Sequence, residues 1–237
     1  MKRALVLAMV TGCLVFGSTA VALAAGTGTQ ADAKIAVHLT SRPAKAITIC
    51  TTASPEQTGG LLCTDENNEN INTEGNLQTS YAAYHVVVGS DPAAGITGAS
   101  FGIAYDASIG HFGWTNCGDL EFPGNGWPAS GGVTAITFAS CQNTPNDADA
   151  GATAITVLGE AYLYAYGAGQ YCLTPRLSVP AQDFQVADCA NSSSDLCYPD
   201  AAGKVGFGGV AGYAPCYTPP TPVENTTWGA IKSNVGE

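Results

Sequence analysis

The run Ile96-Thr-Gly-Ala-Ser-Phe-Gly-Ile-Ala-Tyr-Asp-Ala-Ser-Ile-Gly-His-Phe-Gly-Trp-Thr-Asn-Cys117 holds a serine framed as Gly98-Ala-Ser100-Phe-Gly102, the spacing found around some hydrolase nucleophiles. A nucleophile elbow needs a strand, a sharp turn that strains the serine, and then a helix whose N-terminus faces the oxyanion. The flanks here alternate instead. Phe101, Ile103 and Tyr105 fall on one side of an extended chain, Ser100, Gly102 and Ala104 on the other, and Tyr105-Asp106-Ala-Ser108 closes the run with a turn. Hydrolase order also asks for a histidine well downstream of the acid, whereas the one histidine after Ser100 is His111, just past the same strand. The stretch predicts a strand, with Ser100 as a small residue on one of its faces.

The same period of two recurs outward from it. Lys34 to Thr40, Ser80 to Gly89, Ala99 to Tyr105, His111 to Thr115, Val133 to Cys141 and Thr153 to Tyr166 read as strands bounded by Gly, Pro, Asn and Asp, with weaker ones at Gln182 to Asp188 and Lys204 to Phe207. Helix-period stripes are scarce. Ser54 to Asn76, with its acidic core Thr64-Asp-Glu-Asn-Asn-Glu-Asn-Ile-Asn-Thr-Glu-Gly75, and Gln142 to Gly151 read as solvated loops. The pattern predicts an all-β chain.

Lys2 and Arg3 precede an apolar run from Ala4 through Ala24, which Ala22-Leu-Ala24 closes with the small residues a signal peptidase requires. Residues 1–24 therefore read as a signal peptide, 25–216 as one β domain and 217–237 as a proline-rich spacer and short C-terminal segment, with no membrane span once the signal is cleaved. Val10-Thr-Gly-Cys13 also fits a lipidation box, but the apolar run continues past Cys13 where a lipoprotein turns polar. Cleavage leaves Cys50, Cys63, Cys117, Cys141, Cys172, Cys189, Cys197 and Cys216, an even set that reads as a disulfide framework in an exported chain. The set has no Cys-x-x-Cys pair, which argues against structural zinc. Loop-closure cost favours sequence-near pairs, Cys50 with Cys63 and Cys117 with Cys141. The last four cysteines allow three pairings, of which Cys172 with Cys189 and Cys197 with Cys216 are the sequence-near choice. The chain carries 8 basic against 19 acidic side chains, and no basic run, so nucleic acid is excluded as a partner.

Gly95-Ile-Thr-Gly-Ala-Ser-Phe-Gly-Ile-Ala-Tyr-Asp-Ala-Ser-Ile-Gly-His-Phe-Gly-Trp114 resembles the strand and turn of cohesin-type and carbohydrate-binding-type β-sandwich domains, and Ala154-Ile-Thr-Val-Leu-Gly-Glu-Ala-Tyr-Leu-Tyr-Ala-Tyr166 is similar to their long return strand. The segment from about Tyr81 to Phe207 also resembles a group of exported bacterial proteins of unknown activity, through Trp114-Thr-x-Cys117, Leu120-Glu-Phe-Pro123, Trp127-Pro128 and the C-terminal Thr226-Thr-Trp-Gly-Ala-Ile-Lys232. The resemblance implies an antiparallel immunoglobulin-like, cohesin-like β-sandwich, here stapled by disulfides. The cysteine set is not a cohesin trait, so no dockerin partner follows from it.

Gly159-Glu-Ala-Tyr-Leu-Tyr-Ala-Tyr166 puts Glu160, Tyr162, Tyr164 and Tyr166 on one strand face and Ala161, Leu163 and Ala165 on the other. Glu160 prefers water, and if no bulge intervenes the tyrosines share its face and form an exposed aromatic stripe of the kind that stacks on sugar rings or anchors a protein. The favoured reading packs the tyrosines under a loop or in the core, with Gly159 marking a bulge that reverses the phase, because strand tyrosines usually bury most of the ring. Asp147-x-Asp149-x-Gly151 and Asp65-x-Asn67-x-Glu69 space oxygen ligands as calcium loops do, without the full pattern ending in a bidentate glutamate. No other cofactor is expected. Asp119, Glu121 and Glu160 are the carboxylates a glycosidase would need, but no spacing brings two of them to face each other. Asn191-Ser-Ser and Asn225-Thr-Thr are glycosylation sequons, and Trp228, Ile231 and Val235 form an apolar side if residues 226–235 turn helical. These features predict a secreted or cell-surface, non-catalytic binding module for an extracellular polysaccharide or surface protein. A structural envelope or matrix component is the second reading, and a secreted hydrolase the third.

Overall fold

The computed structural model describes residues 26–42, 48–63, 70–177 and 182–216. Their strands are β1 (Lys34–Ser41), β2 (Glu74–Gly75), β3 (Ser80–Ser90), β4 (Ile96–Tyr105), β5 (Ile109–Asn116), β6 (Leu120–Pro123), β7 (Val133–Gln142), β8 (Ala154–Ala165), β9 (Gly169–Thr174), β10 (Arg176–Leu177), β11 (Gln182–Asp183), β12 (Gln185–Ala187), β13 (Ser193–Asp195) and β14 (Lys204–Phe207). Single 3-10 turns at Pro55–Gln57 and Asp147–Asp149 are the helical content of the described residues. No helix among them is long and apolar enough to cross a membrane.

Two sheets make a sandwich. The first runs β1-β3-β8-β5, antiparallel throughout. In the second, β4 is central: β7 and then β6 lie on one side, β9 and β12 share the other, and β14 continues outward from β9. Alternation decides what faces inward. Ile35, Val37 and Leu39 of β1, Leu158, Leu163 and Ala165 of β8, and Phe101 and Ile103 of β4 all enter one core cluster between the sheets. Every strand expected from the sequence is present, and the weaker Gln182 to Asp188 stretch divides into β11 and β12. The sequence reading missed β6 and β9 and the short β2, β10 and β13.

The core holds a histidine. His85 of β3 is fully buried, its Nε2 lies 3.0 Å from the Tyr171 hydroxyl, and its ring stacks on Phe101 and meets the edge of Trp114. Burial, helped by the nearby His111, lowers its pKa to about 3. Burial also lowers His38 to about 4.

A second apolar cluster lies on the outside of the first sheet. Ala36, Ala82, Tyr84, Val86, Ile155 and Val157, the residues alternate to the core set, are roofed by Leu61, Ile71, Ala214 and Cys216 from the loops. Backbone alone would not hold that roof. The disulfide Cys50–Cys117 ties it to the end of β5, and Cys63–Cys216 ties its two halves to each other. Asn146 adds a third anchor: its Oδ1 accepts from the Leu61 amide at 3.1 Å and its Nδ2 donates to the Leu61 carbonyl at 2.8 Å. The loops expected to be solvated excursions therefore contribute buried groups, with Asn146 and Ile71 nearly fully enclosed.

The sequence-near disulfides do not form. Cys50 joins Cys117 rather than Cys63, and Cys63 joins Cys216, which removes Cys216 from the expected pair with Cys197. Cys141 joins Cys189, so neither Cys117–Cys141 nor Cys172–Cys189 exists. Loop-closure cost grows only slowly with length, and sheet topology decides instead. Cys141 and Cys189 sit just beyond β7 residue Thr137 and β12 residue Ala187, which flank the same Gly98 of β4. Gly95 lies beneath that disulfide with φ +58, and a Cβ there would collide with both sulfurs.

Removing the Cys63–Cys216 disulfide, by Cys63→Ser with Cys216→Ser, is expected to lower unfolding free energy by about 4–5 kcal/mol, because it closes a loop of 153 residues. Urea titration checks this, and non-reducing peptide mapping checks the three pairs. A second outcome concerns pH. His85 is held neutral in the folded chain, while the unfolded chain protonates it near the ordinary histidine value of 6.5, so stability is full above that value and is lost as pH falls toward about 3. The expected slope is about 1.4 kcal/mol per pH unit for this one group, steeper where His38 joins it, and urea midpoints between pH 7 and 4 measure it.

Candidate functional site

β8 is the central feature of the first sheet's outer surface. Its pairing with β3 slips between His85 and Val86, which places a bulge at Leu158 and Gly159. The bulge lies before Glu160, so Glu160, Tyr162, Tyr164 and Tyr166 keep to one outer side, while Ala161, Leu163 and Ala165 are fully buried on the inner one. The roof covers the Ile155 and Val157 end of this surface and stops near Glu160. Beyond it Tyr162 and Tyr164 are half-buried and Tyr166 is 64 % exposed.

A fourth ring completes the patch. β5 slips against β8 between His111 and Gly113, leaving Phe112 as the extra residue. His111 turns inward, its ring stacked on Tyr105 and Tyr171, while Phe112 is 55 % exposed with its centroid 5.4 Å from that of Tyr162. Tyr164 and Tyr166 lie 4.8 Å apart. Gly110 makes the approach of the rings possible, since a Cβ there would come within 2.6 Å of the Phe112 ring and 3.1 Å of the Tyr166 ring. The rings within each pair are inclined by 47° and 57°, so the patch is a ridged surface rather than one plane.

Glu160 does not face water. Its side chain is 1 % exposed, between Tyr84 on β3 and Thr115 on β5 in register. Alternation placed it correctly on the outer surface, but that surface is covered at this point. The Arg42 guanidinium, which follows β1, lies 3.8 Å above the centroid of the Tyr162 ring and brings Nε to 3.6 Å from Glu160 Oε1. Thr115 Oγ1 approaches Oε2 at 3.5 Å. Among the described residues Oε1 accepts no hydrogen bond. Burial raises the Glu160 pKa, with Arg42 and Thr115 pulling it back down. The Tyr84 phenol is pushed up to about 12 by burial and by the charge on Glu160.

The other candidates are scattered. Asp147 and Asp149 occupy the 3-10 turn after Asn146, and Asp149 is engaged by Thr153, whose Oγ1 donates to Oδ2 at 2.5 Å. No group of three or more His, Cys, Asp or Glu side chains among the described residues gathers as metal ligands do. Asp65, Asn67 and Glu69, the signal segment, Asn225 and the C-terminal segment lie outside the described residues. Asn191 is exposed in the turn between β12 and β13. Ser100 sits in mid-strand on β4, paired with Ala135 and Gln185, where no elbow exists. Glu121 accepts from Thr134 Oγ1 and Asp119 from the Ala139 amide, both at the edge of the second sheet, whereas Glu160 belongs to the first. Leu120 and Phe122 of edge strand β6 are 60 % and 53 % exposed, a second apolar pair unforeseen from the sequence.

No family model matches the chain, and no curated protein matches it. Among solved structures it is similar to a cohesin module of a family 33 glycoside hydrolase from Clostridium perfringens, at 13 % identity and a TM-score of 0.40 over 57 % of this chain and 90 % of that one. It is also similar to the sixth cohesin of scaffoldin B from Acetivibrio cellulolyticus, solved in complex with a Cel5 dockerin, at 14 % identity and a TM-score of 0.37 over 57 % and 94 %. The cohesin-like likeness is one of fold, and the sandwich itself stands on the strand pairing above.

Arg42→Ala is expected to cost about 1–2 kcal/mol at pH 8, because the cation is partly solvated while its removal leaves a buried carboxylate alone. The sign follows from the raised Glu160 pKa: the folded chain holds the proton more tightly than the unfolded one, so stability falls as pH rises through the folded value. Arg42→Ala moves that value higher. The variant should therefore regain wild-type stability near pH 4, and an equal deficit at pH 4 and pH 8 would contradict this account.

Proposed function

We propose that the chain is a non-catalytic binding module of the extracellular space or cell surface, and that a protein partner docks on the ridge formed by Phe112, Tyr162, Tyr164 and Tyr166. The observation that carries the reading is the pair of outward rings, Tyr166 and Phe112, on a sheet whose inner face is held in the core by Ala161, Leu163, Ala165 and Ile109. Apolar rings of this size left in water on a rigid support are the anchors from which interfaces take most of their energy. Tyrosine, phenylalanine and arginine are also the residues that interfaces concentrate. Inclined rings fit the side chains of a protein better than the flat face of a packed polysaccharide. The disulfides and the apolar leader support an exported location. Separated carboxylates and a mid-strand serine support a role without turnover.

Phe112→Ala and Tyr166→Ala are each expected to weaken capture of the partner by about 1–2 kcal/mol while leaving the melting temperature unchanged, since both rings are more than half exposed. The measurement is retention of extracellular and envelope proteins on the immobilised mature chain, wild type against double variant, beside a glycan array. Equal retention by both forms would move the site elsewhere, and binding to glycans that is lost in the double variant would make the ligand a polysaccharide.

A further inference from the structure

The covered end of the ridge shows what kind of group enters it. We propose that Glu160, Tyr162 and Phe112 form a subsite for one cationic side chain of the partner, a lysine ammonium or an arginine guanidinium, and that Arg42 fills it in the isolated chain as an internal stand-in. The inference rests on the binding-module reading and adds the chemistry of the incoming group.

Three observations lead there. The first is the present occupant: a guanidinium carbon 3.8 Å over the Tyr162 centroid, beside a carboxylate, is the arrangement in which aromatic faces and anions hold cations. The second is how poorly it fits. Arg42 Nε stands 3.6 Å from Glu160 Oε1, whereas a charge-assisted N–H···O bond spans about 2.8 Å. Oε1 is consequently enclosed without a hydrogen bond from any described residue, and Oε2 has only Thr115 at 3.5 Å. An enclosed carboxylate oxygen without a donor is costly, and a cation reaching it at bonding distance removes that cost. The third is mobility of exchange. Arg42 is 36 % exposed at the end of β1, so it leaves toward water without disturbing a packed element, and Phe112 stands exposed beside the ring it vacates. The field of the whole chain agrees in sign. With 19 acidic and 8 basic side chains, it draws a basic surface toward it.

Displacement of Arg42 is then part of binding, and its strength as a competitor sets the affinity. The test uses Nα-acetyl-arginine amide as the probe, titrated onto the mature chain and followed at the Gly113 and Thr115 amides by NMR. Arg42→Ala removes the competitor and is expected to bind the probe about tenfold more tightly than wild type, by the arithmetic of an occupied site becoming free. The uncharged isostere Nα-acetyl-citrulline amide should bind neither, and Glu160→Gln in the Arg42→Ala background should abolish the gain. If Arg42→Ala does not fold, Arg42→Gln keeps much of the stem and serves in its place. No gain on removing Arg42, or equal affinity for the citrulline amide, overturns the subsite; that comparison needs no further variant. Tyr166→Ala, remote from the carboxylate, separates the two readings: it should reduce partner capture and leave probe affinity unchanged. Capture sensitive to Tyr166 without any probe gain would leave the binding module standing and remove its cation subsite, whereas probe gain without Tyr166-sensitive capture would do the reverse.

Discussion

An apolar outer face on the first sheet is the constraint from which the rest of the molecule follows. β8 lies between β3 and β5 and buries residues on both sides over Ala154 to Ala161. A sandwich of two sheets covers only the inner side. The outer side, with Val86, Ile155 and Val157, needs a roof, and loops without a hydrogen-bonded lattice of their own have little to hold them there. Two disulfides and the buried Asn146 supply the hold. This explains why a domain with an ample core carries cross-links at all, and why they span long stretches of chain instead of closing local loops.

The roof also defines the site by where it ends. Tyr84 and Glu160 are paired across β3 and β8 at its margin, and one step further along β8 the tyrosines emerge. Two bulges adjust what emerges. The slip at Leu158 and Gly159 hands the outer face from aliphatic residues to Glu160 and the tyrosines, while the slip at Phe112 lets His111 and Trp114 both face inward, with Phe112 between them out beside Tyr162. Bulges of this kind redirect a side chain without interrupting the sheet.

Alternation was readable because it is a property of neighbours. Phe101 with Ile103, and Ala161 with Leu163, could be placed on common faces from the sequence alone, and the grouping of Glu160 with the three tyrosines follows from the same rule, whereas which of those faces is buried was not legible. Short or atypical strands were not readable: Leu120-Glu-Phe-Pro ends in a residue that strands seldom hold, and Gly169 to Thr174 lacks a clear alternation. Burial of Glu160 depended on Arg42 and the roof, which are distant in sequence and leave no local mark. The disulfides failed for the same reason. Cys141 and Cys189 meet because both flank β4, a fact of topology that spacing between cysteines does not encode.

The margin position of Glu160 ties the cross-links to the proposed cation subsite. A carboxylate and a tyrosine ring in open water hold a cation weakly, since solvent screens the charge and competes for every donor. Under the roof the same two groups sit in a poorer dielectric, so each donor placed on Oε1 counts for more, and a misplaced one costs more. The roof is held at this edge by Cys50–Cys117, whose second cysteine follows directly from the β5 segment that carries Phe112 and Thr115. Tyr84 reinforces the same edge, its hydroxyl donating to the Ile49 carbonyl at 3.3 Å, next to Cys50. The low-dielectric setting of Glu160 is thus a consequence of covalent closure at Cys50, and the exposed rings of the proposed ridge begin just beyond it.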